Sequence, residues 1–327
     1  MIRSTLRKFI LSISLVFLLS GCNPMKNSES PTLQGSPTAS RSGFRVIAYV
    51  TGAAVASVIP YEKLTHINYA FLLPNEDGTF QDLGNTWLIG QLVPLAHKQN
   101  VKVLISVGGW GWDAQFEKMA ANPGTRAAFV KNLVKIVAQY QFDGADIDWE
   151  YPDAGASAQN FLSLMQELRA ALPKDSLLTA AVVALGEHGA GIPFESFALM
   201  DFVNIMAYDD DSGSQHSSLN YAISALDYWL ERGLPQDKAT LGVPFYARPT
   251  ETPYAQIVKD NPAAAQLDST LFNGVQINYN GIPTIQAKTH LALQRASGIM
   301  FWTLENDASG DLSLLSAIHQ VVVNAGK

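Results

Sequence analysis

Phe142-Asp143-Gly144-Ala145-Asp146-Ile147-Asp148-Trp149-Glu150-Tyr151-Pro152 sets four carboxylates within eight residues, and three of them, Asp146, Asp148 and Glu150, are two apart. In a strand that spacing turns side chains to one face, each roughly 6 to 7 Å from the next. Ala145, Ile147 and Trp149 then turn to the other face and are apolar, the alternation of a strand with one packing face. Crowded like charges raise the free energy of the ionised forms, so the cluster is expected to keep at least one proton near neutral pH and to serve as an acid. A solvated acidic turn would not carry Ile147 and Trp149 between its charges. A calcium loop would need a glycine at its sixth position and an acid at its twelfth, and the register from Asp146 has neither.

Outward from this stretch, apolar β-branched runs recur at 44–50, 65–72, 101–107, 144–149, 178–184, 202–207, 240–246 and 298–304. These are eight candidate buried strands, with helical patterns between most of them. The clearest helix is 125–140, where Phe129, Leu133, Val137 and Tyr140 recur at steps of three and four. Segments 160–172, 221–232, 285–295 and 312–323 show the same period, whereas 51–64 is weakly patterned and has room for a short helix only. Residues 44–327, about 284 in all, show no second break in composition. That length and order predict an α/β fold of one domain, a (β/α)8 TIM barrel with functional groups at the C-terminal ends of its strands.

Residues 1–21 read as a targeting segment. Arg3, Arg7 and Lys8 form a basic head, and the apolar run from Phe9 to Leu19 is shorter than the ~20 residues of a bilayer-spanning helix. Leu19-Ser20-Gly21-Cys22 resembles a bacterial lipoprotein signal, with Cys22, the only cysteine, as the lipidated residue. Residues 22–43 are rich in Ser, Pro, Thr and Asn and are expected to be a tether. The protein is therefore expected in the cell envelope, exported and lipid-anchored to a bacterial membrane. Loss of 1–21 would leave 19 Lys+Arg against 29 Asp+Glu, a formal −10, which argues against nucleic acid as a partner. The six histidines are scattered, so neither a metal nor an organic cofactor is expected. A monomer is expected.

Asp143-x-x-Asp146-x-Asp148-x-Glu150 on the fourth strand resembles the signature of glycoside hydrolase family 18, the chitinase family. Ser106-Val107-Gly108-Gly109 ending the third strand, Met206-Ala207-Tyr208-Asp209 ending the sixth and Trp302 on the eighth resemble its further motifs, in order. The resemblance implies cleavage of β-1,4-linked N-acetylglucosamine in chitin or chitooligosaccharides. Retaining glycosidases generally set a second carboxylate ~5 Å from the acid, whereas this family uses the substrate's own 2-acetamido oxygen. It implies Glu150 as the acid, Asp148 holding the acetamide N–H and balancing developing positive charge, and Asp146 sharing a proton with Asp148. Tyr208 would hold the acetamide carbonyl and Trp302 would floor the −1 subsite, with Met206 and Asp209 lining the same pocket. Asp143, out of step with the other acids, is expected to be structural, and Gly108 and Gly109 to let backbone pass close to the acids. Trp110, Tyr49, Phe71, Tyr246, Arg248 and Glu305 are candidate rim contacts with the glycan.

Many members of the family insert a small α+β domain after the seventh strand. Residues 249–283 are too few for it, so a barrel without that insertion and a shallower cleft are expected, which suits endo action or short oligosaccharides. Asp209-Asp210-Asp211 is expected to add negative charge at the mouth and to disfavour acidic glycans. Two other functions fit the resemblance: an endo-β-N-acetylglucosaminidase acting on the chitobiose core of N-glycans, and a non-catalytic chitin-binding lectin.

Overall fold

A computed structural model describes residues 43–210 and 215–326. Cys22, the targeting segment, the tether and Asp211 lie outside the described residues. Strands β1 (Arg45–Thr51), β2 (His66–Leu72), β3 (Lys102–Gly108), β4 (Gly144–Asp148), β5 (Leu177–Val183), β6 (Phe202–Met206) and β7 (Ala239–Pro244) are followed by a hairpin of β8 (Ser269–Phe272) and β9 (Val275–Asn278), and then by β10 (Gly298–Trp302). All but the hairpin close into one parallel barrel in the order β1-β10-β7-β6-β5-β4-β3-β2. This is the (β/α)8 barrel expected, and its eight strands fall within about two residues of the predicted apolar runs.

Helices α1 (Thr86–Lys98), α2 (Asp113–Ala121), α3 (Pro123–Tyr140), α4 (Ala156–Ala171), α5 (Leu219–Glu231), α6 (Tyr254–Asp260), α7 (Ile282–Arg295) and α8 (Leu314–Asn324) pack outside. The crossovers after β1 and β5 carry only 3-10 turns, Ala56–Val58 and Tyr61–Lys63 in the first, Glu187–Gly191 and Phe194–Ala198 in the second. The stretch after β7 holds α6, a 3-10 turn and the hairpin, not a separate domain. Among the described residues no helix is long and apolar enough to cross a membrane.

Strand parity sorts the core into two layers. Ala145, Ile147 and Trp149 face outward into the large apolar layer between barrel and helices. Trp149 is 1 % exposed, stacks on Phe116 at 5.1 Å and donates its indole N–H to Asp113 at 2.8 Å. The barrel interior is a smaller cluster of Ile47, Tyr49, Ala70, Ala181, Phe202, Met206 and Met300. Register decides which polar groups meet there: Ser106 lies beside Asp146 and Gly108 beside Asp148 in the β3–β4 pair, and Thr179 lies beside Asp146 in β4–β5. Neighbours in a parallel register turn to the same face, so these groups converge inside the barrel.

Asp143 stays out of this interior. Its carboxylate takes hydrogen bonds from Val103 N at 2.8 Å, Lys102 Nζ at 2.7 Å and His97 Nε2 at 2.8 Å, pinning the entry of β4 to β3 and α1. The structural role expected for it is the one it has.

Candidate active site

Asp146, Asp148 and Glu150 climb the inner face of β4 toward its C-terminal end, although the strand itself stops at Asp148 and Glu150 sits two residues beyond. Their surroundings differ in a graded way. Asp146 is fully buried and accepts from Thr179 Oγ1 at 2.5 Å, Tyr49 Oη at 2.7 Å, Ser106 Oγ at 2.8 Å and Asn204 Nδ2 at 3.2 Å. Burial still raises its pKa, with those four donors opposing. Asp148 is 3 % exposed, and its Oδ1 has no hydrogen-bond partner among the described residues. Burial, then the charges of Glu150 and Asp146, push it well above the usual carboxylate range. Glu150 is pushed up to about 7, by burial first, with a hydrogen bond from Tyr151 opposing and Asp209 adding to the rise.

Asp148 and Glu150 line a cleft of about 1090 Å³ at the C-terminal mouth of the barrel, together with Met206, Tyr208, Trp302 and Trp110 among others, and Asp146 is buried without lining it. Trp302 stacks on Phe71 at 5.4 Å with the planes 20° apart and leans on Tyr49 at 5.6 Å, which fixes the plane of the indole. Tyr208 stands edge-on to Tyr246 at 6.3 Å. Its phenol is held protonated by burial, then by Tyr246 and Asp148, so it is a donor at any ordinary pH. Trp110 is 79 % exposed, an aromatic face left open to solvent at the rim. The peptide bonds Ala70-Phe71, Glu150-Tyr151 and Trp302-Thr303, all at strand exits around this mouth, are cis.

The glycines of β3 leave space that no other residue would. A Cβ on Gly108, at φ +110°, would lie 2.4 Å from the Asp148 carbonyl oxygen, and one on Gly109 would lie 2.6 Å from the Phe71 ring. Gly109 N donates to the Asp148 carbonyl at 2.8 Å, so the close approach is also a hydrogen bond. One wall of the cleft is ionic. Arg248 grips Asp209 through Nε at 2.8 Å and Nη2 at 2.7 Å, Tyr246 Oη adds a bond at 2.7 Å, and His216 Nδ1 lies 3.2 Å away. Burial works against the Asp209 charge, but Arg248, His216 and Tyr246 outweigh it and hold the carboxyl below its usual range.

The profile of the glycosyl hydrolases family 18 matches residues 45–307, which is the barrel and its mouth. The chain belongs to glycosyl hydrolase family 18. It is 30 % identical to chitinase A1 of Niallia circulans over 74 % of this chain and 47 % of that protein, and 29 % identical to chitinase C of Streptomyces lividans over 76 % and 54 %. The chain thus spans about half the length of these curated relatives. Among solved structures it resembles the chitinase ChiB of Flavobacterium johnsoniae, with a TM-score of 0.74, 30 % identity and cover of 86 % and 95 % of the two chains. A chitinase of Bacteroides thetaiotaomicron gives 0.78, 27 %, 87 % and 98 %.

Within this family 18 site the structure brings together Asp146, Asp148, Glu150, Met206, Tyr208 and Trp302, with Phe71 and Trp110 beside them. Four expectations need correction. Tyr49 reaches the cleft, but at 1 % exposure its phenol is spent on Asp146 beneath the floor, so it is not a rim contact. Glu305 accepts from Thr51 N and Oγ1 at the β1 exit and so fastens backbone rather than facing glycan. The Asp209 charge is largely met by Arg248, which also binds Glu251, so neither group is a bare charge at the mouth. Asp146 and Asp148 are each buried, but Asp146 is already saturated by four neutral donors, which leaves a shared proton between them without a direct bond. Tyr151 and His216 were not singled out from sequence. Tyr151 follows the motif directly and its aromatic side chain beside a terminal acid was a usable signal, whereas His216 becomes relevant only through the return of the chain after β6. Among the described residues no group of three or more His, Cys, Asp or Glu side chains is placed to hold a metal ion.

Proposed function

We propose that this protein hydrolyses β-1,4-linked N-acetylglucosamine chains, chitin or chitooligosaccharides, with retention of anomeric configuration and with the substrate's 2-acetamido oxygen as nucleophile. The observation that carries the reading is the pairing of a buried Asp148, one oxygen of which lacks a partner among the described residues, with the Tyr208 phenol in the same cleft. Such a pair suits a neutral amide, with the phenol donating to its carbonyl and the carboxyl accepting its N–H. Glu150 gives its proton to the glycosidic oxygen as the C1–O bond breaks and the acetamide oxygen closes on C1 to form an oxazolinium ion. The Asp148 carboxyl stays hydrogen-bonded to the amide N–H over which that charge spreads. Water then attacks C1 and breaks its bond to the acetamide oxygen, Glu150 takes a proton from that water, and the sugar leaves with its original configuration.

The Trp302 indole, fixed by Phe71 and Tyr49, offers a flat apolar floor for the ring at the bond to be cut. The Flavobacterium johnsoniae protein of 30 % identity is a chitinase from a chitin utilization locus, which supports chitin as the substrate. The short hairpin β8–β9 in place of an inserted domain favours an open cleft and cutting within chains. Chitohexaose followed by proton NMR tests the reading: β-anomeric product should build up first and then mutarotate. Initial α-product would refute it, and turnover confined to a high-mannose glycoprotein would move the substrate to the chitobiose core of N-glycans.

A further inference from the structure

A buried lysine outside the cleft lining is tied by hydrogen bonds to the chain that returns from β6. Lys288, on α7, is fully buried and does not line the cleft. Its ammonium donates to the Ser217 carbonyl at 2.7 Å, Ser217 Oγ at 2.6 Å and Asn280 Oδ1 at 2.7 Å. All three of its hydrogens are used, and every acceptor is neutral. Burial of such a cation is unfavourable and draws Lys288 down to about 7, with Asp268 opposing. An apolar residue would fill the same space without that penalty, whereas the amine ties Ser217 and Asn280 together through three hydrogen bonds.

What it grips leads to the site in two steps. Ser217 Oγ donates to the Ala207 carbonyl at 2.6 Å, and Ala207 is the residue before Tyr208. Ser217 also follows His216, which is 5 % exposed and whose ring nitrogens lie 3.2 Å from Asp209 Oδ1 and 3.2 Å from the Tyr246 carbonyl. Asn280 closes the loop by donating to the Ser217 carbonyl at 2.8 Å. The chain returning from β6 is therefore fastened on one side to the lysine and on the other to Ala207 and Asp209, which flank Tyr208.

We propose that Lys288 is a positioning residue for the acetamide end of the cleft, acting through Ser217 on the backbone that carries Tyr208 and through His216 on Asp209. The inference rests on the role given to Tyr208 above. A purely structural lysine would, when removed, lower the fraction of folded protein and leave each folded molecule at full rate. A positioning lysine would leave substrate binding through Trp302 and the rim nearly intact and slow the step that needs the phenol in place.

The test is steady-state kinetics on chitotetraose for wild type, Lys288→Met and Ser217→Ala, with active sites counted by titration with a thiazoline analogue of the oxazolinium. Lys288→Met should lower kcat per active site about 20-fold or more with KM within about threefold, since sub-ångström misplacement of a reacting partner costs rates of this order. Ser217→Ala, which keeps the ammonium and removes only the link to Ala207, should shift kcat the same way by about fivefold. A folded Lys288→Met with kcat per active site within about twofold of wild type would overturn the proposal. If Lys288→Met does not fold, Ser217→Ala decides alone, and an unchanged kcat overturns it. Absence of wild-type turnover would overturn the hydrolase reading and this one together.

Discussion

At Glu150, burial and hydrogen bonding pull against each other, and burial wins. The carboxyl is raised to about 7, so its proton is largely kept below that pH and is lost as pH climbs past it. The acid form is the one that can donate, so kcat/KM on a chitooligosaccharide should hold below about 7 and fall on the alkaline side, with an inflection near that value. An activity that rises through the same range would contradict the assignment of Glu150 as acid. Glu150→Gln keeps the shape and removes the titrating proton. It should cut turnover by about 10²- to 10⁴-fold while chitotetraose still binds, which calorimetry on the inactive variant checks. The acids themselves were legible in the sequence because a period of two is enough to say which side chains share a face. Their individual protonation was not, since Tyr49, Ser106, Thr179 and Asn204 reach Asp146 from four other strands, and no local pattern ties them to it.

The same division between local and distant information runs through the elements. All eight barrel strands could be read from their apolar runs, because strands buried on both faces leave continuous β-branched stretches that loops and surface helices do not. Helix α1 was harder to see: Gly90 and Pro94 interrupt it, and the structure keeps it helical across both by burying Leu88, Ile89, Leu92, Val93 and Ala96. The hairpin β8–β9 turns at Asn273 and Gly274, both at positive φ, and offers only four residues a side, too short for a clear alternation. The contact of β3 with β4 makes a prediction at this scale. Gly108→Ala would set a methyl group 2.4 Å from the Asp148 carbonyl and 2.5 Å from the Phe116 ring, at a φ that disfavours any side chain. Backbone on one side and a packed ring on the other cannot both give way. The variant should lose about 3 kcal/mol or more of stability, read as a shift in the denaturant midpoint, and what folds should have a displaced Asp148 and low kcat. A midpoint within about 0.5 kcal/mol of wild type would show that the approach is looser than described.

For the whole molecule, the formal charge of −7 gives no attraction for anionic polymers. Asp209 and Glu251 at the mouth are bound to Arg248, which leaves the cleft polar without a strong field for anions. Attachment to a membrane is a separate proposal and falls on residues outside the described part of the chain. We propose that Cys22 bears a lipid, from the run Leu19-Ser20-Gly21-Cys22. In a bacterial host, wild type should incorporate a clickable palmitate analogue and partition into detergent, whereas Cys22→Ala should do neither, with unchanged kcat on soluble oligosaccharides. Label retained by Cys22→Ala would contradict the proposal.

In the proposed mechanism the sugar's own amide attacks C1 while Glu150 protonates the departing oxygen. Aryl chitobiosides carrying acetamido, fluoroacetamido, difluoroacetamido and trifluoroacetamido groups on the ring next to the aglycone test it most directly, because fluorine weakens the amide oxygen as a nucleophile with little change in shape. The account predicts that kcat/KM falls steeply along the series, by several orders of magnitude between the first and the last. A flat series would contradict it and return the attack to water or to a side chain.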